Sequence, residues 1–257
     1  MLAAMVRKVF ISGTSRGIGA ECARVLLARG WQVVGLARGD AAEGLAGPDY
    51  EHHHLDLSDL SALSSWCDEH LAPQRLSEAE RIGLVNNAAL LRPVGPLDRL
   101  NPVEFSQHLT VNVVAPTTLT GRLLRHASQD IPLRVINLSS GAATGAYAGW
   151  TAYCASKAAL RMTDAVLAAE AAAFPHLQER DLAVVTYAPH VVATRMQEDL
   201  RSMETCDFPD RERFVGLEAT GQLVEATGPA NQIADLLEQE GLALHSEQRY
   251  SPSGGEA

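Results

Sequence analysis

The chain has 257 residues, 46% of them hydrophobic and 20% charged, a globular composition that argues against a fibrous or disordered protein over most of its length. With 21 basic against 31 acidic residues the formal net charge is −10, which disfavours nucleic acid and anionic lipid as partners. Apolar runs such as 111–116 and 182–185 are too short to span a bilayer, so no membrane association is expected.

Cys22, Cys67, Cys154 and Cys206 are scattered, with neither a CxxC pair nor zinc-ligand spacing. Arg7 and Lys8 break the apolar start before a secretory segment can form. Reduced thiols in a cytoplasmic protein are the expectation. The length is within reach of one large α/β core, and a single domain over residues 1–257 is expected.

Residues 8–12 read as a buried strand (Val9, Phe10, Ile11), followed at once by the turn Gly13-Thr14-Ser15-Arg16-Gly17-Ile18-Gly19. Ile18, Cys22, Val25 and Leu26 then recur at helical spacing up to Arg29, and Gly30 stops the helix. Residues 31–37 form a second strand and 39–48 a loop. A third strand ends across 53–56, and Ser58 is expected to cap a helix running to His70. The tract His52-His53-His54 reads as a polar loop edge leading into that third strand, and no metal site is expected.

Further strands are expected at 82–86, 133–138 and 183–188, with long helices at 102–127 and 150–173. The stretch 194–228 mixes helical fragments with breaks and is expected to form a substrate loop. A helix at 229–240, a short strand at 242–246 and a frayed polar tail at 251–257 complete the chain. Strands alternating with helices predict a doubly wound, Rossmann-like parallel sheet of about seven strands with helices on both faces.

The first strand-turn-helix has the character of a phosphate cradle. Gly13 permits the turn, Gly17 lets backbone approach a phosphate, and Gly19 allows close packing of the helix, whose N-terminus favours an anion. The spacing is G-x-x-x-G-x-G rather than GxGxxG. A dinucleotide site selective for NAD would place an acid at the end of the second strand. Here Arg38 stands there, Arg16 lies in the loop, and the nearest acid is Asp40, a pattern that favours the 2′-phosphate of NADP(H).

Tyr153 and Lys157 are four residues apart and share one helix face. An ammonium beside a phenol is expected to lower its pKa from about 10 and suit it to proton transfer near neutrality. Ser139 and Ser140 end the fifth strand, Asn86 and Asn87 end the fourth, and Asn112 interrupts an apolar stretch of helix.

The glycine loop, Asp56, Asn86-Asn87-Ala88-Ala89, Asn112, Ser140 and Tyr153-x-x-x-Lys157, in this order over residues 8–189, resemble the short-chain dehydrogenase/reductase family in its compact form. Ser140 precedes Tyr153 by 13 residues, the family interval, and is preferred to Ser139. The resemblance implies that Tyr153 protonates a carbonyl oxygen as hydride arrives from the nicotinamide. Ser140 would hold that oxygen, Lys157 would tune Tyr153 and hold ribose, and Asn112 would anchor a water relay to Lys157. It further implies that Asp56 and Leu57 border the adenine and that Asn87 and Ala88 flank the cofactor. Ser15 and Ile18 would line the phosphate loop, and Pro189 and Thr194 would meet the nicotinamide end. The chain departs from the family pattern at Ala89 and His190, where glycine is usual.

Within the family, Gly149-Trp150-Thr151-Ala152-Tyr153-Cys154 and Tyr187-Ala188-Pro189 look most like sepiapterin reductases and benzil-type diketone reductases. A pterin site would be expected to offer a carboxylate near the carboxyl terminus, where Glu247 is the loose candidate, so a diketone or other small carbonyl is favoured. Tyr147, Trp150, His190 and Met196 are the candidate pocket residues. Alternatives are a catalytically silent NADP(H) sensor, which commonly loses the Tyr/Lys pair kept here, and a sepiapterin-type pterin reductase. An extended epimerase would need more than the fewer than 70 residues after Pro189. A homodimer through the long helices is implied by the family.

Overall fold

The computed structural model describes residues 6–252. Seven parallel strands form one sheet in the order β3-β2-β1-β4-β5-β6-β7. In chain order they are β1 (Val6–Ser12), β2 (Gln32–Ala37), β3 (Tyr50–His54), β4 (Ala79–Asn86), β5 (Leu133–Leu138), β6 (Leu182–Ala188) and β7 (His245–Arg249). The helices are α1 (Gly17–Ala28), α2 (Leu60–His70), α3 (Pro73–Leu76), α4 (Pro102–Leu109), α5 (Ala115–His126), α6 (Thr151–Ala173), α7 (Pro175–Gln178), α8 (Arg195–Arg201), α9 (Arg211–Ala219) and α10 (Thr227–Glu238). The doubly wound sheet expected from the alternation is therefore observed.

The inner strands are mostly apolar because both faces are covered. Leu26 and Ala23 of α1 pack with Ile233 and Leu237 of α10 over Val9, Ile11 and Val33 on one face. On the other, Leu63 and Trp66 of α2, Leu119 of α5 and Leu167 of α6 cover Phe10, Leu84 and Val135. A third apolar cluster, around Trp150, Phe208 and Phe214, lies outside the sheet layers and roofs the site described below. Among the described residues, no helix is long and apolar enough to cross a membrane.

Four local expectations need correction. The histidine tract is not a loop edge: His52, His53 and His54 are themselves strand β3, paired to β2. The cap of α2 is Asp59, whose carboxylate accepts from the backbone N–H groups of Ser61 and Ala62 at 3.0 and 2.9 Å, while Ser58 turns back to Asp56. The last strand is the polar 245–249 rather than 242–246, as suits an edge strand with one face open to water. The long helix expected over 102–127 is interrupted by a π turn at Thr110–Val114. Pro116 explains the break, since it has no N–H to return to the Asn112 carbonyl four residues earlier and its ring crowds that carbonyl. The tail expected to fray lies largely outside the described residues, with only Ser251 and Pro252 within them.

Candidate active site

The glycine loop lies at the carboxyl end of β1. Gly13 and Gly17 have φ of +80° and +59°, a region that side chains with a Cβ rarely enter. A Cβ at Gly19 would run into the Gly13 carbonyl and the Asn87 amide, so the first turn of α1 is pressed against the loop. Arg16 caps that helix with extended backbone and an exposed side chain, and the first turn holds no acid, leaving the positive end of the helix open to an anion. Ser15 and Ile18 stand half-buried on either side of it.

Arg38 is exposed just past the end of β2, next to Asp56. Burial raises the Asp56 pKa, but two hydrogen bonds from Ser58 and the Arg38 charge outweigh it and hold the carboxyl below its usual value. Asp40 does not occupy the strand end: its exposed carboxylate lies 3.6 Å from His54. His52 reaches the Gly39 carbonyl through Nε2 at 3.0 Å and the Tyr50 hydroxyl through Nδ1 at 3.1 Å. A carbonyl only accepts, so Nε2 carries the proton, and the ring ties the backbone beside Arg38 to β3. Neither Tyr50 nor His52 was expected in this role. Buried Leu57 follows Asp56 along the same rim.

Asn87 and Ala88 close the rim between β1 and β4. Both backbone N–H groups donate to the Ser12 hydroxyl at 3.0 Å, and the Asn87 amide donates to the Ser12 and Gly13 carbonyls at 2.8 and 3.2 Å. Asn86, by contrast, points away from this rim. Its amide donates to Asn137 at 2.7 Å within a buried network in which Asp164 accepts from Asn137 and Thr186. Burial raises Asp164 to about 6 despite those two hydrogen bonds.

Across the rim, Ser139 extends β5 by donating its N–H to the Tyr187 carbonyl at 2.7 Å, which leaves Ser140 to begin the turn at Gly141–Ala143. The Ser140 hydroxyl stands close enough to the Tyr153 phenol to oppose the rise in its pKa, and Lys157 lies one helical turn further along α6 with its ammonium 5.6 Å from the Tyr153 ring centroid. Ser140, Tyr153 and Lys157 thus form one cluster, with Tyr153 and Lys157 buried. The expected lowering of the phenol pKa by Lys157 is not observed. Burial pushes Tyr153 up to about 12, with the neighbouring Ser140 hydroxyl opposing it. The ammonium is turned to the Leu138 carbonyl at 2.6 Å, and burial lowers Lys157 to about 8.

Asn112 is buried in the π turn, where its side chain is fully engaged. Its amide oxygen accepts from the Leu90 N–H at 2.7 Å, and its amide nitrogen meets the Leu90 carbonyl at 3.0 Å, His108 at 2.8 Å and Ser156 at 3.2 Å. These partners do not include Lys157. His108, which sequence reasoning missed, is wholly buried, with Nδ1 2.8 Å from the Arg92 carbonyl and Nε2 3.0 Å from the Ser156 hydroxyl. Burial lowers its pKa, the Arg92 hydrogen bond opposes and Lys157 adds to the lowering, so the ring is neutral with its proton on Nδ1. Its spacing of four from Asn112 was the available signal.

Trp150, Tyr147 and Met196 meet in the third apolar cluster, with Trp150 stacked on Phe208 at 4.8 Å and tilted against the Tyr153 ring at 5.1 Å. Helices α8 and α9, inside the expected substrate loop, supply Leu200 and Phe214 to this wall. His190 is exposed and has φ of +69°, the only described non-glycine residue in that region, so it takes the backbone shape for which glycine is the usual choice. Pro189 before it is buried, and Thr194 rests its methyl 3.4 Å from where a Gly17 Cβ would lie. The strand ends therefore carry a phosphate-shaped cradle at one end and a Ser-Tyr-Lys cluster under an apolar roof at the other.

A doubly wound sheet with a cradle and a hydroxyl–phenol–ammonium cluster on the same rim defines an oxidoreductase scaffold. The family model described as short chain dehydrogenase matches residues 7–205, and the chain belongs to that family. It is 32% identical over 241 residues to a benzil reductase ((S)-benzoin forming) of Bacillus cereus, covering 91% of this chain and 95% of that one. It is 31% identical to the sepiapterin reductase of Xenopus laevis, covering 89% of each. A short-chain dehydrogenase/reductase structure from Burkholderia vietnamiensis superposes with a TM-score of 0.67 at 32% identity, over 79% of this chain and 94% of that one.

Proposed function

We propose that the protein reduces a small ketone or vicinal dicarbonyl to the alcohol with NADPH. The observation that carries this reading is the Tyr153 phenol buried under an apolar wall, with the Lys157 ammonium 5.6 Å from its ring and Ser140 beside it at the end of β5. The loop from Gly13 to Gly19, with Arg16, fits a pyrophosphate because backbone fills the space any side chain at Gly19 would need. Arg38 suits a 2′-phosphate, Asp56 and Leu57 the adenine edge, Asn87 and Ala88 the middle of the cofactor, and Pro189 and Thr194 its nicotinamide end. The nicotinamide, when bound, supplies hydride to the carbonyl carbon.

The chain's own part is the proton. Tyr153 gives its proton to the carbonyl oxygen while Ser140 donates a hydrogen bond to the same oxygen. The phenolate left behind is buried beside a cation, since Lys157 with a pKa of about 8 is mostly charged at pH 7. A phenol raised to about 12 is too weak an acid, so the ammonium must leave the Leu138 carbonyl or share itself with the phenolate as the proton departs. Asn112, through Ser156 and the Tyr153 backbone carbonyl, holds the start of α6 in place.

A diketone suits the pocket better than a pterin. Glu247, the carboxylate a pterin site would need, is on edge strand β7 and paired with Arg161 at 2.6 Å. The π turn before α5 and helix α6 expose Val114, Met162 and Val166, apolar side chains that suit a homodimer interface, which light scattering would detect as twice the chain mass. The direct test is NADPH consumption with benzil and aliphatic α-diketones, with NADH and sepiapterin run in parallel. Rapid loss of NADPH absorbance with diketones and much slower loss with NADH is expected. Preference for NADH, or no turnover with any carbonyl offered, would overturn the reading.

A further inference from the structure

Glu51 and His53 are two residues apart on β3 and so share a face of the strand, the face on which α2 packs. The last residue of α2 is His70, whose ring meets that of His53 at 4.3 Å between centroids. One ligand atom from each of Glu51, His53 and His70 lies within 4.8 Å of the other two.

The protonation pattern suits a cation. His70 Nδ1 is 3.0 Å from the Trp66 carbonyl, which can only accept, so the proton is on Nδ1 and Nε2 keeps its lone pair. Fixing a ring by a carbonyl on its second nitrogen is the usual way a ligating histidine is oriented. Trp66 also stacks on this ring at 4.9 Å and 5°, limiting its rotation. His53 Nε2 is buried and makes no hydrogen bond, although the Glu51 carboxylate lies only 2.9 Å away and out of line. A buried ring nitrogen without a partner costs about 1–3 kcal/mol, which a bond to a cation would remove.

We infer that Glu51, His53 and His70 form a site for a divalent transition-metal cation of the zinc, cobalt or nickel class. Two imidazoles select such ions over magnesium, which prefers oxygen ligands. Bonds of about 2.0–2.2 Å require the three ligand atoms to draw together, and Glu51, exposed at its tip, has the freedom to do so. Glu69 holds a further carboxylate 4.0 Å from His70 Nε2. The site braces the edge strand against α2 immediately before Leu55-Asp56-Leu57, and it stands apart from Tyr153 and from the proposed reaction.

The test uses the full chain stripped with EDTA and titrated with Co²⁺, Zn²⁺ or Mg²⁺. Visible Co²⁺ absorption and a rise in Tm with Zn²⁺ but not Mg²⁺ are expected. Glu51→Gln and His70→Gln should each weaken Co²⁺ binding by about tenfold or more, as loss of a ligand requires. His54→Gln, at an exposed neighbour outside the triad, should leave it unchanged. Absence of any Co²⁺ spectrum in the unmodified chain, an equal response to Mg²⁺, or undiminished binding in Glu51→Gln would overturn the site. Glu51 is exposed, so that variant reports even where His70→Gln fails to fold.

Discussion

Lys157 is an ammonium held where the fold would favour a neutral amine, and replacing it by methionine exposes that cost. The side chain is 4% exposed, and burial moves its pKa from 10.5 to about 8. At about 1.4 kcal/mol per pKa unit, keeping it charged at pH 7 costs the folded state about 3 kcal/mol. Methionine fills similar space without charge but strands the Leu138 carbonyl, which now accepts from Nζ at 2.6 Å; that loss is about 1–3 kcal/mol. The variant should therefore match or slightly exceed the parent in stability at pH 7.

The pH dependence is sharper than that near-cancellation. Between about pH 8 and pH 10.5 the unfolded chain keeps the Lys157 proton that the folded protein has released. Parent stability should rise with pH in that window, relative to Lys157→Met, by about 3 kcal/mol. Urea unfolding of both cofactor-free proteins from pH 7 to 10.5, followed by circular dichroism, measures the difference while other titrations cancel. A difference that stays flat across the window would show that Lys157 is hydrated and would refute the reasoning. Activity should meanwhile fall about 10²-fold or more.

Asp164 gives the opposite slope. Its folded pKa of about 6 lies above the ordinary aspartate value of 3.8, so its contribution is fully present at low pH and lost as pH rises through that window. Asp164→Asn, which keeps the size, should gain on the parent by about 3 kcal/mol between pH 4 and pH 7 in denaturant titrations; no relative gain would place the carboxyl in water. His108→Ala should cost about 2–4 kcal/mol in the same assay, through a buried cavity and lost partners for Arg92, Asn112 and Ser156. A change below 0.5 kcal/mol, roughly the size of a surface substitution, would contradict the network.

Local chemistry made the cradle and the Tyr153/Lys157 pair readable, because a helical spacing of four and glycines at positive φ leave direct marks on the chain. The parallel sheet was readable for the same reason, since buried strands lack polar alternation. What escaped depends on contacts between distant segments. Asp59 rather than Ser58 caps α2 because Ser58 is drawn to Asp56, a preference that composition alone does not rank. Pro116 marked the π turn, yet only the packed structure shows Asn112 reaching Leu90 and His108. His70 joins the β3 histidines across a loop and a helix, so no tract in the sequence includes it. The pKa of Tyr153 was misread because burial outweighs a cation already bound elsewhere.

The central claim, that the Tyr153 hydroxyl is the proton donor, is tested most directly by Tyr153→Phe. The ring keeps its place against Trp150 and loses only its hydroxyl oxygen. Turnover of a diketone with saturating NADPH should drop by about 10²-fold or more, while the NADPH dissociation constant, read by nucleotide fluorescence, changes little. Turnover in Tyr153→Phe equal to that of the parent would contradict the account.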